Sequence, residues 1–454
     1  MKKLIGALAL AAMVATSAFA EVTFGAWLCN LPTLVGFDGE DIKGAAVSNP
    51  WGGFRASRVD INWASDDGKA GMTMGVYGNP TSLGGSDAMD FWIKPVDQVK
   101  ITIGQMDNFT GLRGDLCYGS WNWLRPGNTL AWGEGITFSK VSDCGIGVQI
   151  FPVEALQIFA SLPLVAQNYE LKTYLSRMDH AFGNGKVGAA YTIDGIGTIK
   201  AQFLGGYDLV ASTAAVTGAV AANSWYTTKN GVRTQQTGYD AAYTAVKSDT
   251  TGKTTMDFTT KALDATTAGT DEYKKYGTIE AAFDLTAVDK LFATVGVAFT
   301  MADKEWFGKY SIKQPETPDG FVTLNPQFKL AAGASYGITE AFKVAADFSM
   351  FMFHSDTKID PMMAFGVGLD YALSDALGIA ADVRMLLPNN SKDPSLSFLV
   401  GATYAVGSNA SLGLGFQGAV GLGDKAEPGY LRVVKATEGN KFAWAVPIRA
   451  SIWF

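Results

Sequence analysis

Charged side chains in this chain recur two residues apart inside otherwise apolar runs. Arg58 with Asp60 and Asp382 with Arg384 are such sets, and Lys343 precedes Asp347 by four residues. Even spacing places these groups on one face of a strand. The same faces carry Asn62, Asp90, Lys94, Lys100, Lys200, Glu280, Asp284 and Arg449. Mixed charges along a wall set up a transverse field across water, chemistry that sorts solutes by size and weakly by charge. The plainer alternative for any single residue is an ordinary solvated or paired wall group. Catalytic chemistry finds less support. There are two histidines, His180 and the first residue of His354-Ser355-Asp356. A contiguous triplet is a weak signal, because triads assemble from separated positions. No zinc-type spacing or phosphate-binding loop occurs, so neither an enzyme nor a metal or other cofactor is expected.

The elements that would position these charges are strands. Val99, Ile101 and Ile103 alternate with Lys100, Thr102 and Gly104, and Ile379, Ala381 and Val383 alternate with Ala380, Asp382 and Arg384. A slip of one residue would move Lys343, Asp347, Asp382 and Arg384 to the apolar face. Alternating runs of this kind predict about eighteen strands: 21–28, 54–64, 70–78, 87–94, 97–106, 145–153, 155–162, 185–193, 196–207, 277–285, 290–300, 326–337, 341–352, 361–373, 377–387, 396–406, 410–420 and 441–453. An aromatic-x-aliphatic tripeptide precedes seven of the tight turns. These are Phe91-x-Ile93, Phe151-x-Val153, Tyr191-x-Ile193, Phe283-x-Leu285, Tyr336-x-Ile338, Tyr371-x-Leu373 and Tyr404-x-Val406. Ring aromatics at one depth on one face read as a girdle at a membrane–water interface. The opposite connections are long: 29–53, 107–144, 208–276, 301–325 and 421–440. The expected fold is all-β, a transmembrane antiparallel β-barrel of about 16–18 strands with short periplasmic turns and long extracellular loops. A soluble sandwich does not account for that asymmetry or for the repeated aromatics.

The N-terminus reads as a secretory signal. Lys2 and Lys3 are followed by an apolar stretch from Leu4 to Thr16 and by Ala18-Phe19-Ala20. Cleavage after residue 20 is expected, leaving 21–454 as a single barrel domain. No later stretch reaches about eighteen uncharged apolar residues. The net charge of −7 and pI near 5.1 argue against nucleic acid as a partner. There are three cysteines, and Cys117 and Cys144 lie in one inter-strand segment. They could pair in an oxidising compartment, although sequence does not supply the geometry. Residues 208–276 are rich in Thr and Ala, without lasting periodicity. They read as a long solvated surface loop, partly helical, or as a region for adhesion or gating.

The last strand is the most specific signal. Val446, Ile448, Ala450, Ile452 and Phe454 alternate up to a terminal aromatic carboxylate. With the barrel pattern, this resembles the bacterial outer-membrane porins, whose final strand ends in Phe and serves as an assembly signal. The resemblance implies a passive diffusion channel for small hydrophilic solutes in the cell outer membrane. It also implies outer-membrane lipid as surroundings, the barrel-assembly machinery as a partner read through Phe454, and a homotrimer. Closure would pair this strand with Val22, Phe24 and Ala26. In porins the loop after the fifth strand folds inward. The similarly placed 107–144 then offers Arg113, Asp115, Arg125 and Glu134 as constriction residues beside the wall set Arg58, Asp60, Lys94, Lys100, Lys343, Asp347, Asp382, Arg384 and Arg449. Trp121, Trp123, Trp132 and two cysteines depart from that pattern, so a compact surface cap or a sugar-stacking platform is the alternative. A substrate-specific channel, or a major surface protein with an adhesive or structural role, remains a second reading of the whole.

Overall fold

The computed structural model describes residues 20–44, 46–48, 57–78, 83–114, 137–164, 183–212, 219–229, 232–248, 254–261, 271–302, 306–307, 326–354, 361–387, 394–422 and 441–453. The signal-peptide stretch, Cys117 and the loop residues Asp115, Arg125 and Glu134 lie outside them. Two compact units divide the chain: 1–206 with 277–301 and 310–454, and 207–276 with 302–309.

The larger unit is a closed antiparallel barrel of 18 strands. In chain order they are β1 Ala20–Phe37, β2 Ser57–Ser65, β3 Ala70–Gly78, β4 Leu83–Val96, β5 Val99–Met106, β6 Asp143–Val153, β7 Leu156–Pro163, β8 Lys186–Ile193 and β9 Gly197–Ser212. They continue as β10 Asp271–Leu285, β11 Leu291–Ala302, β12 Phe328–Gly337, β13 Phe342–Met352, β14 Met362–Ala372, β15 Leu377–Leu387, β16 Ser395–Gly407, β17 Ala410–Gly421 and β18 Phe442–Trp453. Every second connection is tight. In the Ser65–Ala70 turn, Gly68 adopts φ +64 and its amide donates to Ser65 O at 2.8 Å. The Ser65 hydroxyl and the Lys69 amide both donate to the Asp67 carboxylate, and they hold its carboxyl below the usual range.

Alternation sets the two faces. On β11, Val295, Val297 and Phe299 point outward and are exposed, while Thr294, Gly296, Ala298 and Thr300 are buried inside. On β14 the outward Val367 is 63% exposed. The pre-turn aromatics Phe91, Tyr191, Tyr336, Tyr371 and Tyr404 all face outward at 39–54% exposure. Of the seven expected positions, Phe151 and Phe283 are the two that are only partly exposed, and Phe151 lies in the irregularity between Ile150 and Val153. Inside, small side chains dominate: Ala331, Ala364, Ala419, Ala443 and Ala445 are fully buried.

Closure occurs through β1 and β18, but not in the expected register. Trp27 pairs with Trp453, Leu28 with Ile452, and the ladder runs on to Phe37 opposite Trp444. Residues Ala20–Leu28 instead pair with β2. Strands of a barrel tilt, so the register staggers around the ring and the last strand meets the first displaced along it. β1 must therefore be long enough to serve two neighbours at different heights. Its second half, expected to be loop, holds Pro32 and a bulge between Thr33 and Val35. These break the alternation there.

The smaller unit has structure of its own where the sequence predicts a surface loop. Strands Ser224–Lys229, Val232–Gln235 and Thr254–Thr259 form an antiparallel sheet beside the helix Tyr239–Ser248. Trp225 packs against Tyr239 and Phe258 at ring separations of 5.0 and 5.3 Å.

Candidate functional site: the inner wall and the segment against it

The chain leaving β5 turns into the barrel. Residues 107–114 and 137–142 run beside each other there. Gly114 N donates to Phe138 O at 2.8 Å, Phe109 N to Val141 O at 3.2 Å, and Lys140 pairs with Asp107 at 2.5 Å. This pair of strings is fastened to strands that lie well around the ring from β5. The Glu280 carboxylate on β10 accepts from Ser139 N at 2.8 Å, from Ser139 Oγ at 2.7 Å and from Gln202 Nε2 at 2.7 Å. Gln202 Nε2 also donates to Ser139 O at 2.9 Å. Lys200 on β9 pairs with Asp284 at 2.6 Å, donates to Leu112 O, and lies over the Phe138 ring. Gln157 on β7 donates to Thr110 O, and Thr137 and Thr294 share a hydrogen bond of 2.9 Å.

Packing explains how the segment comes so close. A Cβ at Gly296 would lie 2.0 Å from Thr137 O, so only glycine admits the segment's backbone to β11 there. A Cβ at Gly147 would strike the Phe109 ring at 2.8 Å, and that ring meets Phe159 edge-on. Phe138 and Val141 are fully buried between segment and wall, and Glu280, Lys200, Gln202 and Thr294 are buried with them. Buried charge at this depth is tolerated because each group is paired and hydrogen-bonded. The contacts hold residues 107–114 and 137–142 against the inner faces of β7, β9, β10 and β11.

The predicted wall residues divide into those the structure brings together and those it leaves apart. Arg58 Nε meets Asp60 at 2.5 Å, as their spacing predicts. The Arg58 guanidinium also lies over Gly75, where a Cβ would come within 2.6 Å of it. Arg384 makes no hydrogen bond to Asp382, its neighbour on β15. It reaches across β14 to Asp347 on β13, where its Nη2 donates to both carboxylate oxygens. The bridging position is Gly366, paired to Asp347 on one side and Arg384 on the other, and it has no side chain to obstruct the contact. With no side chain on the strand between, Asp347 and Arg384 lie straight across from each other, within reach of a charge-assisted contact. Arg449 Nε donates to Ser451 Oγ at 3.0 Å. Lys94 and Lys100 gather at Trp92, and Lys343 stands apart near the turn that opens β13. Arg113 is exposed on the inward segment. Cys144 carries a free, exposed thiol at the start of β6.

Sequence reasoning missed the fastening residues Thr137, Ser139, Gln157, Gln202 and Thr294. Gln202 and Thr294 lay on the inner face by alternation, but nothing in their spacing pairs them with a segment some sixty to one hundred and fifty residues away.

No protein-family model and no curated protein matches this chain. Solved structures do. Outer-membrane expressed OmpT of Vibrio cholerae is 12% identical over 97% of this chain and 99% of its own, with a TM-score of 0.43. An anion-selective porin from Comamonas acidovorans is 11% identical over 96% and 100%, with a TM-score of 0.45. A mutant of Rh. blastica porin is 11% identical over 96% and 100%, with a TM-score of 0.44. Bacterial porins are thus among the solved structures this chain is similar to, and at these identities the likeness is one of fold.

Proposed function

We propose that the protein is a channel of a bacterial outer membrane that passes small hydrophilic solutes and ions by passive diffusion. One observation carries this reading: the barrel is inverted relative to a soluble protein. Its outer face is a continuous exposed surface of Val, Ile, Leu and Phe, and its polar and ionised side chains point inward. Such a surface in water would be an aggregation liability, whereas in lipid it is what a closed sheet requires. Eighteen strands enclose more width than side chains alone fill. The segment fastened to Glu280 and Lys200 takes up part of it, so the channel is a restricted one. In this reading 1–20 is the leader removed on export and the strand ending at Phe454 is what the assembly machinery reads. The barrel also associates as a trimer.

Planar-bilayer recording of the refolded chain tests the reading. Steady ohmic steps are expected, with reversal potentials in a salt gradient showing weak ion selectivity. A protein that inserts but carries no current at any voltage would overturn it.

A further inference from the structure

Trp92, Lys94 and Lys100 bring two inner-wall cations together with no carboxylate in contact among the described residues. Arg58, Lys186, Lys200 and Arg384 each lie against a carboxylate. Among the described residues, neither Lys94 nor Lys100 makes an ion pair or an ammonium hydrogen bond. Asp90, two residues before Trp92 on the same face, acts on Lys100 only at longer range. The β4–β5 ladder pairs Ile93 with Ile101, which brings Lys94 and Lys100 side by side across the seam. Both ammonium groups lie over the Trp92 indole, at 5.6 and 5.1 Å from the ring centroid. Like charges facing each other across strands are unfavourable, and an aromatic face offsets only part of that.

The indole itself is seated. It lies over Gly71, where a Cβ would fall 2.4 Å from its Cζ2 atom. Beside it opens a cavity of about 210 Å³ whose inner-face lining is Thr23, Asn62, Ala64, Thr73 and Trp92. Two hydroxyls, a carboxamide and one indole face surround a space of several water volumes, with two unmatched ammonium groups at its edge. Neutral donors and acceptors beside an aromatic plate suit a polyol ring, and the ammonium pair suits an anionic substituent on it.

We propose that this cluster is a solute-binding subsite at the short-turn mouth of the channel, taking a small polyhydroxylated anion such as a sugar acid or a sugar phosphate. Lys94 and Lys100 meet the anionic group, Thr23, Asn62 and Thr73 meet hydroxyls, and Trp92 supplies the plate. The inference rests on the channel reading, because a solute must reach the inner wall.

The test uses the refolded full-length chain in detergent and in bilayers, with glucose 6-phosphate and glucuronate as probes and glucose and inorganic phosphate as controls. Calorimetry in detergent should show both probes binding, glucose not binding, and inorganic phosphate at least tenfold weaker than glucose 6-phosphate. Lys94→Gln with Lys100→Gln should weaken the probes at least tenfold, and Trp92→Phe less than Trp92→Leu. Lys343→Gln, a remote wall lysine, should change nothing. Lys100→Gln alone serves should the double variant fail to fold. In bilayers the probes should interrupt the current from the short-turn side. Equal affinity in wild type and Lys100→Gln overturns the subsite, as does phosphate binding as tightly as the sugar phosphate. Binding without conduction would remove the channel reading and leave the subsite; conduction without binding or block would remove the subsite alone.

Discussion

Glu280 shows how much a single inner-wall carboxylate can decide. It accepts three hydrogen bonds at 2.7–2.8 Å and is 1% exposed, so it holds the inward segment to the wall and satisfies Ser139 and Gln202 at once. Removing it leaves buried donors unsatisfied, at about 1–3 kcal/mol each. The Glu280→Ala variant should therefore lose the fastening while the ladder of β10 persists. Its single-channel conductance should rise severalfold over wild type with larger open-channel noise, and Glu280→Gln should fall between. An unchanged conductance in Glu280→Ala would mean the segment does not limit the pathway. The Asp67 carboxyl offers a second residue-scale check, in a solvated turn. Hydrogen bonds from the Ser65 hydroxyl and the Lys69 amide depress it below 3.8. A depressed acid contributes order that is fully present above the ordinary value and is lost as pH falls through the lower one. The Lys69 amide resonance should titrate with a midpoint below 3.8, and a midpoint at or above 3.8 would refute the turn geometry.

At the scale of elements, each strand is placed by which of its faces meets which medium. β14 tests this well, because Val367 sits at its middle and Tyr371 near its turn, both outward. An Arg at mid-depth on the lipid face costs about 2–4 kcal/mol, and near the interface about 0–1. Val367→Arg should thus destabilise the barrel by about 3 kcal/mol in urea titrations from lipid vesicles, and Tyr371→Arg far less. Equal costs would place β14 at the wrong depth or register. This is also the scale at which the sequence was most legible. Strict alternation in β5, β11, β13 and β15 marked both the strands and their faces, since lipid penalises any slip. The inward turn of 107–114 and 137–142 was an expectation of the porin resemblance alone, with a surface cap as its alternative, and no pattern in the segment itself showed how it is held. The residues that fasten it are Ser, Thr and Gln side chains and main-chain carbonyls, ordinary in composition and meaningful only once distant strands are neighbours. The pairing of Arg384 with Asp347 was hidden for a similar reason. It depends on a glycine in the strand between, Gly366, which no single-strand pattern weighs.

For the molecule as a whole, the decisive feature is the seam where β1 meets β18. A barrel without a seam has two open edges, and neither is tolerable in lipid. Alternation predicted that the ends would pair but could not give the height at which they do, because stagger accumulates over the whole ring rather than residing in either strand. The observed register sets Cys29 directly opposite Ser451. In that register, cross-strand partners are about 4.5–5.5 Å apart at Cβ, close enough for a disulfide with small adjustment. Ser451→Cys, made with Cys117→Ser and Cys144→Ser to remove the other two thiols, should therefore oxidise to a bridge that joins the first and last strands. The product is a covalent ring in the membrane-folded state. On gels it should run faster than the reduced protein even after heat denaturation, and digestion should release one linked peptide pair spanning Cys29 and position 451. Pairing of β18 with Val22, Phe24 and Ala26 instead would leave Cys29 several residues from that site, and no bridge would form. A bridged barrel should also resist thermal unfolding more than its reduced form, because the link closes nearly the entire chain into one loop and restricts the unfolded state most. A bridge that forms without raising the unfolding temperature would show that the seam is not where the barrel opens.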